Sequence, residues 1–434
     1  MTQGARGRAS AYRPPPRTDT LIKGARILDP VVGYADQTDV LLREGRIEAL
    51  GKGLSAPAEA VLVEADGAIV TPGLVDPHTH LGVFAAPYAP SQGPSSDVNE
   101  AGGPVAADAR AEDSVDTQDP QFARALAGGV TTLCVLPGSL ALIGGLTATL
   151  KNVPGRIVDE MLFPGAPKAL KLACGDNPKR HLVERGAGPS SRMGLAAAFR
   201  QAWMQARAHA DARARAAANG GEPPAPDPKL EVLSAAMRRE IGVRVHAYRA
   251  DDMATMRALA REFGFRIIAF EHALEGYKVP DLLTESDIAA VVWSDWWGFK
   301  TEAYDGVREN AAFLEAAGVL VALHSDIAST GRRLGVEAGK AMAAGRRAGI
   351  DITPAQAIAW VTLNPARVLG LEAQIGSVEA GKNADLAIWR GDPFSIHGRA
   401  EKVFIDGALV LDRKARVTPL SDFELGQEGR APGA

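Results

Sequence analysis

Cysteine is nearly missing from this chain: two, Cys134 and Cys174, in 434 residues. A disulfide framework is excluded, and both lie in apolar, strand-like stretches where a buried free thiol is expected. Long runs of one charge are missing too. The 48 basic and 52 acidic residues leave a net charge of −4, so nucleic acid and anionic membrane are not expected partners. No stretch reaches the roughly 18 apolar residues of a membrane span. The opening MTQGARGRASAYRPPPRTDT lacks the apolar centre of a signal peptide, and a cytoplasmic location is expected. What is present is a globular composition, 46% hydrophobic and 23% charged, in a length suited to one large barrel or two ordinary domains.

Residues 1–19 are polar and proline-rich and read as a disordered tail. Short alternating runs with glycine breaks follow, LIKGARILDP, TDVLLREGRIEALG and VLVEADGAIVTPG, and the same texture returns in IGSVEAGKNADLAIWRGDPF and EKVFIDGALVLD. Such runs are antiparallel strands. We therefore expect 20–73 and 371–415 to build one small β-sandwich from both ends, with 416–434 as a second tail. Between them, 74–370 alternates apolar strands (GLVDPHTH, GVTTLCVLPG, ALKLAC, GVRVHAY, FRIIAFEH, IAAVVWSD, VLVALHSD) with helical patterns. That order implies parallel strands and crossover helices. With ALIGGLTATLKN as an eighth strand, the expected fold is α/β, a (β/α)8 TIM-like barrel; an open doubly wound sheet is the alternative. The Ala- and Arg-rich stretch 194–218, with NGGEPPAPDPK after it, reads as a helical insertion: a lid, an oligomer contact or a solvated surface helix.

The eight histidines are informatively placed. His78 and His80 close the first barrel strand two residues apart, on one side of it. His246, His272 and Asp326 fall at the ends of three other strands, where a barrel of this kind carries its chemistry. A lone strand-end histidine is more often a satisfied polar residue than a ligand. Four with an aspartate, all at strand ends, read as a site for Zn or a related divalent ion with a position left for water. His324, two residues before Asp326, can face the same site as an outer partner. His181, His209 and His397 fall in loop or helix contexts.

TPGLVDPHTHLG, NPARVLGL, IGSVEAGKNADLAIW and KVFIDGALVL together resemble the amidohydrolase superfamily, and within it the imidazolonepropionase-related branch. The resemblance runs from residue 20 to 412. LKLACGDNPKR, VHAYRADDM, EHALEGYK, SDWWGFKTEAYDG and HSD are similar to a bacterial subgroup of general amidohydrolases. It implies the barrel, the composite sandwich and hydrolysis of amide or cyclic amide bonds. Carried over by residue, it makes His78, His80, His246, His272 and Asp326 metal ligands, with Asp326 and His272 catalytic. Lys171 stands where a lysine carbamate bridges two metals, with Lys168 as a rival. Tyr248, Arg249, Tyr277 and Lys300 follow strand ends and are candidate substrate contacts, an ordinary ion pair being the alternative for each. Two departures concern substrate contacts: PGSLALIGGL carries Ala141 and Leu146 where relatives have GGQ and an Asn, and Glu271 stands where they have Gln.

The expected protein is thus a metal-dependent hydrolase of a carbon–nitrogen bond in a small molecule, with one or two divalent ions and a homo-oligomeric state. A mononuclear deaminase or imidazolonepropionase-type ring hydrolase is the alternative, and a non-catalytic scaffold the competing class.

Overall fold

The computed structural model describes residues 7–84, 96–100, 102–186 and 188–415. The expected tail 416–434 and the first six residues lie outside them. Five strands open the chain: β1 (Thr20–Asp29), β2 (Gly33–Arg43), β3 (Arg46–Gly51), β4 (Val61–Glu64) and β5 (Ile69–Pro72). Nine follow: β6 (Leu74–Thr79), β7 (Val130–Val135), β8 (Ile143–Leu146), β9 (Ala148–Lys151), β10 (Ala169–Ala173), β11 (Gly242–Ala247), β12 (Ile267–His272), β13 (Ala289–Val292) and β14 (Val321–Leu323). Three close it: β15 (Leu386–Arg390), β16 (Arg399–Ile405) and β17 (Ala408–Asp412).

Strands from both ends share one eight-stranded sheet, ordered β17-β16-β15-β5-β1-β2-β3 with β4 on β1. The seam is antiparallel, Val70 opposite Ile388 and Ile69 opposite Trp389. Alternation buries one face: Ile22, Ile27, Val40, Ile47, Leu386 and Phe404 share a core.

In the central region β10 to β14 run parallel, neighbour to neighbour. Helices such as Ala250–Phe263 and Asn310–Ala316 cross between them. β6 and β7 are also parallel, and a bridge from Thr79 to Asp326 ties β6 to the end of β14. ALIGGLTATLKN departs from expectation. It forms β8, antiparallel to β10, and β9, antiparallel to β7. Only residues 136–142 separate β7 from β8, too few for the dozen-residue crossover that a parallel return needs.

The insertion folds as helix Arg192–Asn219, begun by Ser191, whose hydroxyl accepts from the Gly194 amide, and ended by Gly220 at φ +66°. Its first half packs on the protein, with Leu195, Phe199, Trp203 and Ala206 buried and Trp203 stacked on Phe265 at 4.4 Å, whereas no residue of 207–219 is buried, as expected of a surface helix. Residues 7–19 are also held, against the expectation of a free tail. Ser10 donates to Leu162 O at 2.6 Å, Ala11 N to Asp159 O at 2.8 Å and the Tyr12 hydroxyl to Asp406 at 2.5 Å. Tyr12 there joins a buried cluster in which Lys151 Nζ lies 3.0 Å from Asp385 and 2.8 Å from Asp406.

Candidate metal centre

The bridge between β6 and the end of β14 assembles the site. The Asp326 amide donates to His78 O at 3.0 Å and the His80 amide to Asp326 O at 3.1 Å. Their side chains then converge: Asp326 Oδ1 is 3.4 Å from His78 Nε2 and 3.5 Å from His80 Nε2. His78, His272, His324 and Asp326 each present a ligand atom within 4.8 Å of the others. His246 adjoins them, its ring 4.6 Å from that of His272. Asp326 and His272 have φ of +61° and +71°, a region non-glycine residues enter only where surrounding structure holds them.

Three ring nitrogens here, His78 Nε2, His246 Nε2 and His324 Nδ1, are buried with no hydrogen-bond partner. An orphaned buried polar atom costs about 1–3 kcal/mol. Three imidazoles, each with one unpartnered nitrogen, near a carboxylate form a donor set that suits Zn and similar ions. His80 Nδ1 lies 2.9 Å from Leu136 O and His78 Nδ1 lies 2.7 Å from Glu271 Oε2. In each ring this leaves Nε2 toward Asp326.

Beneath the imidazoles lies a charged layer. Glu271 also receives Arg244 Nε at 2.6 Å, and Arg244 donates to Pro77 O at 2.8 Å, both side chains being shut off from solvent. Lys171 is buried beside them and donates to Pro137 O at 3.2 Å. Burial lowers its ammonium to about 8, against the pull of Glu271 and Asp326. Burial raises the Asp326 carboxyl to about 7, Lys171 opposing, and that of Asp76 to about 6. Burial also drives His78, His246, His272 and His324 well below 6.5, and His80 to about 3, so the imidazoles are neutral donors.

The candidate substrate contacts divide. Tyr248 is buried 4.7 Å from the His246 ring, and Lys300 sits 4.0 Å over the Tyr248 ring, 2.7 Å from Asn177 Oδ1 and 2.8 Å from Glu302. Arg249 and Tyr277 are engaged elsewhere, Arg249 on Asp251 through two bonds of 2.8–2.9 Å and Tyr277 on Asp305 O at 3.0 Å. Lys168, the rival of Lys171, pairs with Glu112 instead. Sequence reasoning gave His324 only an outer role and Arg244 none. Arg244 is two residues from His246 on β11, and His324 two residues from Asp326 just past the end of β14, which was the available signal.

The amidohydrolase family model matches residues 69–410. Amidohydrolase tasK of Hapsidospora irregularis is 31% identical over 91% of this chain, which spans 43% of that protein's length. The imidazolonepropionase of Sphingopyxis alaskensis is 26% identical, over 83% of this chain and 89% of its own. Among solved structures, an amidohydrolase from Thermotoga maritima superposes with a TM-score of 0.84 at 37% identity, covering 91% of this chain and all of that one. Neighbours of that kind imply a TIM-barrel catalytic domain of mixed α/β content. The chain belongs to the amidohydrolase family, hydrolases of carbon–nitrogen bonds that are generally metal-dependent.

Proposed function

We propose that this chain hydrolyses an amide, peptide-like or cyclic amide bond of a small molecule at a divalent metal centre, most simply Zn. The observation that carries the reading is the convergence of His78, His272, His324 and Asp326, with unpartnered ring nitrogens on His78, His324 and the adjoining His246. His78, His80, His246, His272 and Asp326 would hold the ion or ions, with His324 joining them. A bound divalent ion supplies Lewis acidity and an acidified water at neutral pH. Asp326, its carboxyl near 7, takes the proton of the attacking water and returns it to the leaving nitrogen. His272, beside it, orients that exchange. Tyr248 and Lys300 contact the substrate; Arg249 and Tyr277, committed to Asp251 and Asp305, are left out of that role. Lys171, held near neutrality by burial, is the residue that would carry a bridging carbamate between two ions.

A mononuclear ring hydrolase is the second reading, favoured by the ordinary hydrogen bond from Lys171 to Pro137 O and by the imidazolonepropionase match. The test is metal content of the purified protein with a screen of dipeptides, N-acyl amino acids and cyclic amides under added Zn or Mn. We expect chelator-sensitive turnover. Metal-free protein that turns substrate over at the full rate would overturn the proposal. Two ions per chain, falling to one in Lys171→Ala, would select the bridged form.

A further inference from the structure

Where the central region meets the eight-stranded sheet, away from the histidines, lies a cavity of about 440 Å³. Arg124, Arg332, Arg333, Arg399 and Arg413 line it together with Trp389, and no Asp or Glu lines it. Among the described residues none of these five arginines is in an ion pair with a carboxylate, unlike Arg192, Arg244 or Arg257. Arg413 is aimed rather than loose. Its Nε donates to Ala400 O at 2.6 Å and one terminal nitrogen to Ala127 O at 2.7 Å, clamping sheet to central region at the cavity wall. Trp389 forms a rigid floor, fixed by its indole N–H on Thr71 at 2.9 Å.

Five guanidinium groups around one hollow repel one another, and no carboxylate lines the hollow to offset them. We propose that this cavity binds a small anion with two or more phosphoryl groups. The guanidinium fork matches phosphoryl oxygens two at a time. One carboxylate would leave most of the charge unmatched, whereas a diphosphate brings several negative oxygens in a compact body. The volume exceeds what inorganic diphosphate fills, and Trp389 and Ile396 offer an apolar side for an organic body such as a nucleoside.

The experiment is calorimetric titration of the metal-loaded protein with inorganic pyrophosphate and, separately, with ADP. The same titrations follow on Arg332→Ser/Arg399→Ser, and on Arg124→Ser/Arg333→Ser should the first pair misfold. All four arginines are exposed and none belongs to the metal centre, so hydrolytic activity should be retained. We expect binding that weakens with added salt and falls about tenfold or more in the double variant, as loss of bidentate pairs predicts. Binding of pyrophosphate alone would mark an inorganic ligand, and tighter binding of ADP a nucleotide. Absence of binding overturns the proposal. So does equal binding by the double variants, which would seat the anion at the metal centre instead.

Discussion

Two buried polar clusters of this protein look alike in composition and differ in bookkeeping. At one, Lys151, Asp385, Asp406 and Tyr12 satisfy one another, Lys151 reaching both carboxylates and the Asp406 amide donating to Asp385 at 2.8 Å. At the other, His78, His246 and His324 each keep a nitrogen without a partner. A closed cluster is structure: it joins β9, the shared sheet and the amino-terminal segment. An open one carries a desolvation cost that the fold does not recover by itself, and it has donors to offer a ligand.

If that contrast is right, mutations at the two clusters should fail in different measurements. Asp326→Asn keeps the shape but removes the base, and turnover should drop about a hundredfold or more at unchanged melting temperature. Activity within a few fold of the parent would mean another group moves the proton. Lys151→Met strands two buried carboxylates and should cost about 3–5 kcal/mol in denaturant unfolding, with metal content per folded chain unchanged. Glu271→Gln, which uncouples the anchor of His78 from Arg244, should weaken metal binding about 10–100-fold by competition with a chromogenic chelator. Equal affinity would make the Arg244–Glu271 pair purely architectural.

Acid should separate the clusters further. The unfolded chain protonates the site's five histidines below about 6.5, while the folded, metal-free chain keeps them neutral through burial. Asp326 and Asp76 act in the opposite sense, holding protons in the folded state below about 7 and 6 that the unfolded chain releases above 3.8. Between about 6 and 4 these seven groups give the unfolded state an excess of 5 − 2 = 3 protons, so the contribution of the site to stability falls as pH falls. The melting temperature of chelator-treated protein should drop across that window; a flat or rising profile would break the account. The smallest effect belongs to Tyr12→Phe, about 1.5 kcal/mol for one hydrogen bond to a buried carboxylate, read from the denaturant midpoint with activity intact.

Much of this was legible before any coordinates. The strands carrying His78, Lys171, His246, His272 and Asp326 were visible as apolar runs ending in chemistry, and glycine-broken alternation marked β1 to β5 and β15 to β17 as one kind of sheet. Two things were hidden. Alternation along β12 puts Glu271 and Ala269 on one face and should turn His272 away; the φ of +71° at His272 swings it back, and no local pattern announces such strain. The reversal at 136–142 is the second: it dictates antiparallel β8 and β9, yet their composition reads as one more parallel strand.

The seam between β5 and β15 also orders events in time. A ribosome releases β1 to β5 early, but their partner across Val70 and Ile388 is made only after the whole central region. At about 5–20 residues per second that interval is on the order of tens of seconds, during which β5 is an open, apolar sheet edge of the kind that recruits other chains. Until its last three strands arrive, that edge has no partner within the chain to cover it.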